Sequence, residues 1–350
     1  MLGRQTDVAA IHAGLTGWFR ARREAGADCE LSSLESPKAG FSNETFLAEL
    51  ATRDGTRRLV IRLEPVGFRV FPEYDLPRQA RIMQCLADSP VPVPRVLWVE
   101  EDRRWIGVPF YVMERIEGEV PSEVPVYHTF GFCCDATPAE RAQMWRSGIE
   151  TLAAIHAVDW HARGLGFLGV PPAGTGPLDQ QLAYYEHYLG WVGGPPQPIL
   201  RAALAWLRDH RYTPRRVTLC WGDSRFVNMI FRDGRTVGVL DWEMAFLGDP
   251  EADLVWWILL DWAQSEGYEI PRLPGFPGAE ETIRRYEAVA GVPVEHALYQ
   301  EVFGAFRFGV IMAKIALRLK EIGGPAPSEN FETDNVCTRR LAQLLGLRGK

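Results

Sequence analysis

A two-residue turn, Asp233-Gly234, is the feature that most restricts how this 350-residue chain can fold. It lies between two largely apolar runs, Met229 to Arg232 and Arg235 to Leu240. Asp-Gly between such runs is the strongest short-range signal for a β-hairpin, because both turn residues must tolerate a positive φ. A two-residue loop places Arg232 opposite Arg235. Regular pairing from that point places Asn228 opposite Val239.

Three side chains with oxygen donors are predicted to gather at the open end of this hairpin. Asp223 and Asn228 precede its first strand, and Asp241 follows its second strand. Carboxylate and amide oxygens are the ligands that a hard cation such as Mg²⁺ prefers. The alternative is purely structural, since Asp and Asn near turns often bond to backbone groups.

The spacing of these residues resembles the catalytic and metal loops of the protein-kinase-like phosphotransferases. More narrowly, the Gly222-Asp223 pair, the Asn five residues later and the Asp241-Trp242 pair are similar to the aminoglycoside phosphotransferase and choline kinase family. That family usually has His where this chain has Trp221. The resemblance extends over most of the chain, from about residue 30 to about residue 320.

The resemblance implies an α+β, bilobal protein-kinase-like fold with a small antiparallel β-sheet N-lobe and a large, mainly helical C-lobe. Sequence periodicity predicts strands at 30–35, 44–52, 57–64, 96–100 and 108–113, with one helix at 76–87 among them. It predicts further helices at 138–158, 178–189, 198–210, 250–264, 279–289, 295–320 and 333–345. We therefore expect a β-rich nucleotide lobe with a leading helix at 1–115. The helical lobe with the catalytic hairpin and the acceptor site is expected at 116–350.

The resemblance also implies a bound nucleotide, ATP with GTP possible, in the first lobe. The expected phosphate-covering loop consists of Gly40, Phe41, Ser42 and Asn43, although an ordinary β-turn would use the same residues. The segment from Phe110 to Ile116 resembles the hinge that receives adenine. Backbone groups of Glu114 and Ile116 would contact the base, with Met113 behind it.

Two positions depart from the pattern of the family. Arg62 stands where a phosphate-binding Lys is usual, and its planar fork places the positive charge differently. Gln79 stands where a Glu usually pairs with that Lys, so a hydrogen bond would replace an ion pair. Glu73 or Asp75 is an alternative source of the carboxylate.

The resemblance assigns the chemistry to the hairpin residues. Asp223 would be the catalytic base or the group that positions the acceptor hydroxyl. Asn228 and Asp241 would hold Mg²⁺ across the phosphates. Glu243 either reaches the same metal or a cationic acceptor, or lies on the surface.

Bulk properties exclude several classes of function. With 38 basic and 45 acidic residues, the net charge is −7, which argues against a nucleic-acid-binding protein. No apolar run approaches the ~20 residues of a membrane span. Six scattered cysteines without a C-x-x-C motif favour reduced thiols in the cytoplasm. The oligomeric state is left open.

The predicted partner is a small-molecule hydroxyl acceptor. Aminoglycosides are polycations that need a dense acidic pocket, and the acidic residues of the helical lobe are not obviously clustered. An aromatic segment, Tyr127 to Phe132, better suits a hydroxyacyl compound or another partly apolar alcohol. Two other hypotheses are a non-catalytic kinase-like nucleotide-binding module and a metal-assisted hydrolase.

Overall fold

A computed structural model of the chain describes residues 7–22, 28–36, 44–65, 67–169, 175–325 and 328–347. The chain divides into two compact units. Unit 1 consists of residues 1–88 and 93–117, and unit 2 consists of residues 89–92 and 118–350.

Unit 1 is built on a five-stranded antiparallel sheet with the strand order β1-β2-β3-β5-β4. Its strands are β1 (Glu30–Leu31), β2 (Glu44–Thr52), β3 (Gly55–Leu63), β4 (Val96–Glu100) and β5 (Phe110–Glu114). The helices of this unit are α1 (Val8–Arg20) and α2 (Leu76–Leu86). The apolar face of α1, from Ile11 to Phe19, packs in one core with alternate residues of β2 and β3. This alternation is why one face of the sheet is buried. The first predicted strand is shorter than expected, because only Glu30 and Leu31 pair continuously with β2.

Unit 2 is mainly helical. Its helices are α3 (Phe132–Asp135), α4 (Pro138–His156), α5 (Pro177–Val192), α6 (Pro198–Asp209), α7 (Glu251–Ala263), α8 (Ala279–Ala290), α9 (Ala297–Glu321) and α10 (Val336–Leu344). The helix α4 begins with a capping box, in which the Thr137 and Glu140 side chains bond reciprocally to each other's backbone N–H. All seven helices predicted in this part of the chain are present, with ends shifted by up to three residues.

Two small antiparallel ribbons interrupt the helices of unit 2. One pairs β6 (Thr218–Cys220) with β9 (Phe246–Gly248), and the other pairs β7 (Met229–Arg232) with β8 (Arg235–Val239). The second ribbon is the predicted hairpin, and Arg232 lies opposite Arg235 as expected. The predicted register further along is wrong by one residue, because a bulge places Met229 opposite Val239. Asn228 therefore bonds through its carbonyl to the Leu240 N–H at 2.9 Å.

Among the described residues, no helix combines the length and the apolarity of a bilayer span.

Candidate functional site

The loop from Trp221 to Asn228 joins strand β6 to strand β7 and passes through a strained position at Gly222. This residue has φ +88°, and a Cβ there would lie 2.0 Å from the carbonyl oxygen of Met244. Only glycine avoids both the strain and the collision. The tight turn at Gly222 presents Asp223 as the next residue.

A buried carboxylate on α7, Asp253, holds this loop. It accepts the backbone N–H of Trp221 at 2.5 Å and that of Gly222 at 2.8 Å, and its own carbonyl accepts the Ser224 hydroxyl at 2.7 Å. Charge-assisted bonds to backbone N–H groups are among the stronger hydrogen bonds in proteins. Asp253 therefore acts as the brace of the loop.

Asp253 also contacts a histidine that lies on the apolar face of α4. His156 Nε2 lies 3.2 Å from Asp253 Oδ2, and its Nδ1 lies 2.7 Å from the Tyr286 hydroxyl. Because a carboxylate only accepts hydrogen bonds, Nε2 is the donor in its contact with Asp253. Cys220 Sγ lies within 4.8 Å of both ligand atoms, but the Asp253 oxygens are already engaged by the loop. His156 is accordingly a core histidine with both ring nitrogens bonded.

Asp223 is a buried carboxylate, 8% exposed, surrounded by donors. Arg225 Nε lies 3.1 Å from it, Asn228 Nδ2 donates at 2.7 Å, and Trp256 Nε1 donates at 3.0 Å. Burial raises the pKa of Asp223, Arg225 opposes the rise and Asp241 adds to it. The structure thus brings Asp223 and Asn228 into direct contact. The negative charge of Asp241 contributes to the raised pKa of the same Asp223 carboxylate.

Arg225 is a member of this site that sequence reasoning missed. Its guanidinium bridges Asp223 and Glu123, with an Nη1 to Glu123 distance of 2.5 Å. Burial disfavours the charged guanidinium, but Asp223 and Glu123 outweigh this effect and raise the pKa of Arg225. The Asp-x-Arg spacing in the loop could have indicated Arg225. Glu123 lies 102 residues away and gives no local signal.

The residues proposed for a divalent cation, Asn228 and Asp241, present oxygen donors. The Asn228 amide nitrogen also donates to the Asp223 carbonyl at 3.0 Å, which leaves its Oδ1 on the opposite side of the amide group. Asp241 has φ +56°, an uncommon conformation for a residue other than glycine. It directly follows Leu240, the residue bonded to Asn228. This donor set fits a hard cation such as Mg²⁺.

The residues proposed for the nucleotide lie in unit 1. Arg62 is on β3 between Thr45 of β2 and Tyr111 of β5, and its side chain is 7% exposed. Met113 is buried at the end of β5. The Glu114 N–H donates to the Arg95 carbonyl at 2.9 Å, so this N–H is already engaged within unit 1.

Other residues that were expected to bind the nucleotide lie partly outside the described segments. The loop Gly40, Phe41, Ser42 and Asn43 lies outside the described residues, while Ile116 follows β5 within them.

The hydrogen bond expected between Arg62 and Gln79 is not formed within the described residues, because the buried Gln79 side-chain oxygen accepts none. Asp75 instead caps α2 by accepting the Arg78 N–H at 2.9 Å. A buried carboxylate that sequence reasoning missed, Glu64, pairs with Arg69 at 2.6 Å.

The aromatic segment from Tyr127 to Phe132 is fixed to α7. The Tyr127 hydroxyl and His128 Nε2 both bond to Asp261 Oδ1, the latter at 3.1 Å, and Arg272 pairs with Oδ2 of the same carboxylate. Tyr127 and His128 are therefore buried, whereas the Phe130 side chain is 58% exposed. Part of the segment is thus core, and only its middle faces outward.

Comparisons with known proteins agree with this geometry. The sequence model of the phosphotransferase enzyme family matches residues 33–289. Mouse acyl-CoA dehydrogenase family member 10 is 29% identical over 318 residues, which cover 87% of this chain. The chain spans only about 28% of the length of that relative.

Solved structures share the fold. A Ralstonia eutropha JMP134 protein assigned as an aminoglycoside phosphotransferase is 27% identical with a TM-score of 0.69, covering 95% of this chain and 94% of its own. A thermostable mutant of aminoglycoside phosphotransferase APH(4)-Ia, in ternary complex with AMP-PNP and hygromycin B, is 17% identical with a TM-score of 0.58. That alignment covers 91% of this chain and 96% of the other. These likenesses confirm the α+β, protein-kinase-like fold.

Proposed function

The chain belongs to the phosphotransferase enzyme family, and on this premise we propose that it transfers the γ-phosphate of ATP to a hydroxyl group of a small molecule. The observation that carries the proposal is the 2.7 Å contact between Asp223 and Asn228 in a braced, buried loop. The negative charge of Asp241 raises the pKa of the Asp223 carboxylate. These are the groups that phosphoryl transfer most needs, because its catalysis is mainly alignment and charge neutralisation.

Asp223 would accept a hydrogen bond from the acceptor hydroxyl and hold that oxygen in line with the γ-phosphate. The proton would pass to the carboxylate late in the transfer, as the new P–O bond forms and the bond between the γ-phosphorus and the β–γ bridging oxygen breaks to release ADP. Arg225 and Trp256 donate to Asp223 and so fix its orientation. The raised pKa of Asp223, caused by burial, suits a group that must take up a proton.

Asn228 and Asp241 would hold Mg²⁺, which would neutralise charge on the nucleotide phosphates. For the nucleotide itself, we propose Arg62 as a phosphate contact, with Gly40, Phe41, Ser42 and Asn43 covering the phosphates. The Glu114 carbonyl and the Ile116 backbone would contact the base beside Met113. ATP is the first choice and GTP the second. The AMP-PNP bound to the structural relative supports an adenine nucleotide.

The acceptor proposed is a partly apolar alcohol of the hydroxyacyl type. The segment that carries Glu123 exposes Val120, Val124 and Phe130 by 47%, 76% and 58%, and Glu123 connects through Arg225 to Asp223. Exposed apolar side chains on a segment that is linked to Asp223 through Arg225 favour an apolar ligand.

A polycationic acceptor is less well supported. Two acidic residues of unit 2 that could serve an aminoglycoside, Asp261 and Glu266, both pair with Arg272. Both carboxylates therefore already have a cationic partner within the protein.

The first test is a thermal shift with ATP, GTP and ADP, each with and without Mg²⁺. A rise in Tm that needs both nucleotide and metal supports the proposed site. The second test follows ³²P transfer from γ-labelled ATP to hydroxyacyl thioesters, hydroxy acids, sugars and aminoglycosides.

Asp223→Asn is the decisive variant in the transfer assay, and the exposed turn residue Asp233 supplies the matched control Asp233→Asn. The first change should reduce kcat by about 10²- to 10⁴-fold, and the second should leave it unchanged. A Mg²⁺-dependent shift without transfer to any acceptor would favour the nucleotide-binding module. Ester cleavage that needs metal but no ATP would favour the hydrolase.

A further inference from the structure

A buried guanidinium that has no carboxylate partner among the described residues bonds to the loop that carries Asp223. Arg307 of α9 is 1% exposed, and its Nη2 donates to the carbonyl of Gly222 at 2.8 Å. Its Nε and Nη1 are buried and have no hydrogen-bond partner in the part of the chain that the structure describes. Burying a cation is costly unless it is paired, and replacing such a group with an apolar one often stabilises a protein. The presence of Arg307 here therefore needs a reason other than stability.

Aromatic rings surround this cation instead of carboxylates. The guanidinium carbon lies 4.4 Å from the ring centre of Trp256 and 5.3 Å from those of Tyr185 and Phe303. Ring faces carry partial negative charge and attract a desolvated cation. The aromatic surroundings thus hold Arg307 in one place without offering it a counter-ion.

Two contacts of Arg307, with the Gly222 carbonyl and with the Trp256 ring, lead to Asp223. The Gly222 carbonyl belongs to the peptide that joins Gly222 to Asp223, and Trp256 donates its indole N–H to Asp223 Oδ1 at 3.0 Å. Burial raises the pKa of the Tyr185 hydroxyl, and the positive charge of Arg307 opposes this rise. The negative charges of Asp223 and Glu243 raise the same pKa, so Arg307 and both carboxylates influence the Tyr185 hydroxyl. Arg307 therefore contacts the backbone on one side of Asp223 and the side chain that orients Asp223 on the other.

We infer that Arg307 is a positioning residue for phosphoryl transfer: it fixes the Gly222–Asp223 peptide and the Trp256 indole, and through both it aims the Asp223 carboxylate. The inference rests on the proposed function. Arg307 touches neither nucleotide nor acceptor in this role. Its removal should lower the rate of transfer while leaving nucleotide affinity unchanged.

The test compares Arg307→Met and Arg307→Lys in the full chain. Met replaces the aliphatic part of Arg without its charge and suits an aromatic pocket, whereas Lys keeps the charge and a donor. Arg284→Met is the control, since Arg284 is an exposed arginine of α8 whose side chain is 66% accessible. Hydrogen–deuterium exchange, read by mass spectrometry, reports on residues 221–228, with α4 as the internal reference.

In Arg307→Met the backbone amides of residues 221–228 should exchange about tenfold faster than in wild type, as expected for the loss of a charged hydrogen bond. The amides of α4 should exchange at the wild-type rate. The Lys variant and the control should stay within about twofold of wild type. With an acceptor that wild type phosphorylates, Arg307→Met should lower kcat by about 10- to 100-fold with KM for ATP within about twofold. Should Arg307→Met fail to fold, the same criteria apply to Arg307→Gln.

Unchanged exchange at 221–228 would overturn the inference. So would faster exchange in α4 to the same extent, which would make Arg307 a residue of general stability. A raised KM with an unchanged kcat would do the same. The exchange measurement needs no substrate, so absence of transfer by wild type would defeat the proposed function while the exchange result still decides the role of Arg307 in the loop.

Discussion

The strongest quantitative prediction concerns the carboxylate that braces the catalytic loop, and the perturbation is Asp253→Asn. Asp253 is fully buried, and its two oxygens accept the backbone N–H groups of Trp221 and Gly222. An amide of the same shape keeps one oxygen, but it places an NH₂ group against the other backbone N–H. His156 Nε2, at 3.2 Å, loses a charged acceptor as well.

The size of the effect follows from these contacts. Loss of one hydrogen bond to a charged group costs about 1.5–3 kcal/mol, and the unpaired buried N–H costs about 1–3 kcal/mol more. The total of roughly 4 kcal/mol agrees with the ~3–5 kcal/mol typical of breaking a buried charged pair. At about 2–4 °C per kcal/mol for a domain of this size, Tm should fall by roughly 8–16 °C.

The assay is thermal and urea unfolding followed by tryptophan fluorescence, with Asp334→Asn as the matched control. Asp334 forms an ion pair with Arg339 at 3.3 Å, and both side chains are about two-thirds exposed. Such a pair contributes at most about 1 kcal/mol, so the control should lower Tm by less than ~4 °C. If Asp253→Asn shifts Tm no more than the control, the brace does not bear the free energy assigned to it.

Three further predictions follow from the same region and from the thiols. Gly222→Ala should abolish phosphoryl transfer and lower the soluble yield. The reason is that the added Cβ would lie 2.0 Å from the Met244 carbonyl oxygen, at a position where the backbone is already strained for any residue other than glycine. A fully active alanine variant would contradict this prediction. Asp241→Asn should reduce the Mg²⁺-dependent part of the nucleotide thermal shift and leave the Mg²⁺-independent part intact, and loss of both parts alike would exclude a metal role. Native protein should react with DTNB at no more than two thiols, the half-buried Cys85 and Cys134, because only accessible thiolates attack disulfides. The other four should react after unfolding: Cys29, Cys133 (whose pKa burial raises to about 12), Cys220 and Cys337.

Local sequence signals predicted the elements of this fold well, because those elements are themselves set locally. The Asp233-Gly234 turn fixes its hairpin through backbone conformation, and Thr137 with Glu140 fixes the start of α4 through capping. The bulge in β8 was not predictable, since nothing in the residues Thr236 to Gly238 requires it. One extra residue was enough to move Asn228 from Val239 to Leu240.

The supporting residues of the candidate site were harder to predict than the proposed catalytic and metal-binding residues. Asp223, Asn228 and Asp241 lie within 19 residues of one another and carry a recognisable spacing. Their partners come from distant segments: Glu123 from the segment before α3, and Arg307 from α9. Long-range contacts of this kind depend on tertiary packing, which no periodicity reports.

The unusual residue of the loop, Trp221, bears on whether the site is built for turnover. A non-catalytic module could lose the support of its loop without penalty. Here the Trp221 N–H is held by Asp253, and its indole Nε1 donates to the Leu240 carbonyl at 2.7 Å.

One side chain thus connects the loop that carries Asp223 to the residue that precedes Asp241. The indole provides a hydrogen-bond donor at a buried position, so replacement of His by Trp leaves the loop supported, by a different contact. A chain that keeps its proposed base and metal-binding residues, and joins their loops through a fully buried tryptophan, has the organisation expected of an active phosphotransferase. Under the proposed function, we therefore expect the departures in unit 1, at Arg62 and Gln79, to affect nucleotide binding rather than the proposed chemistry of the hairpin.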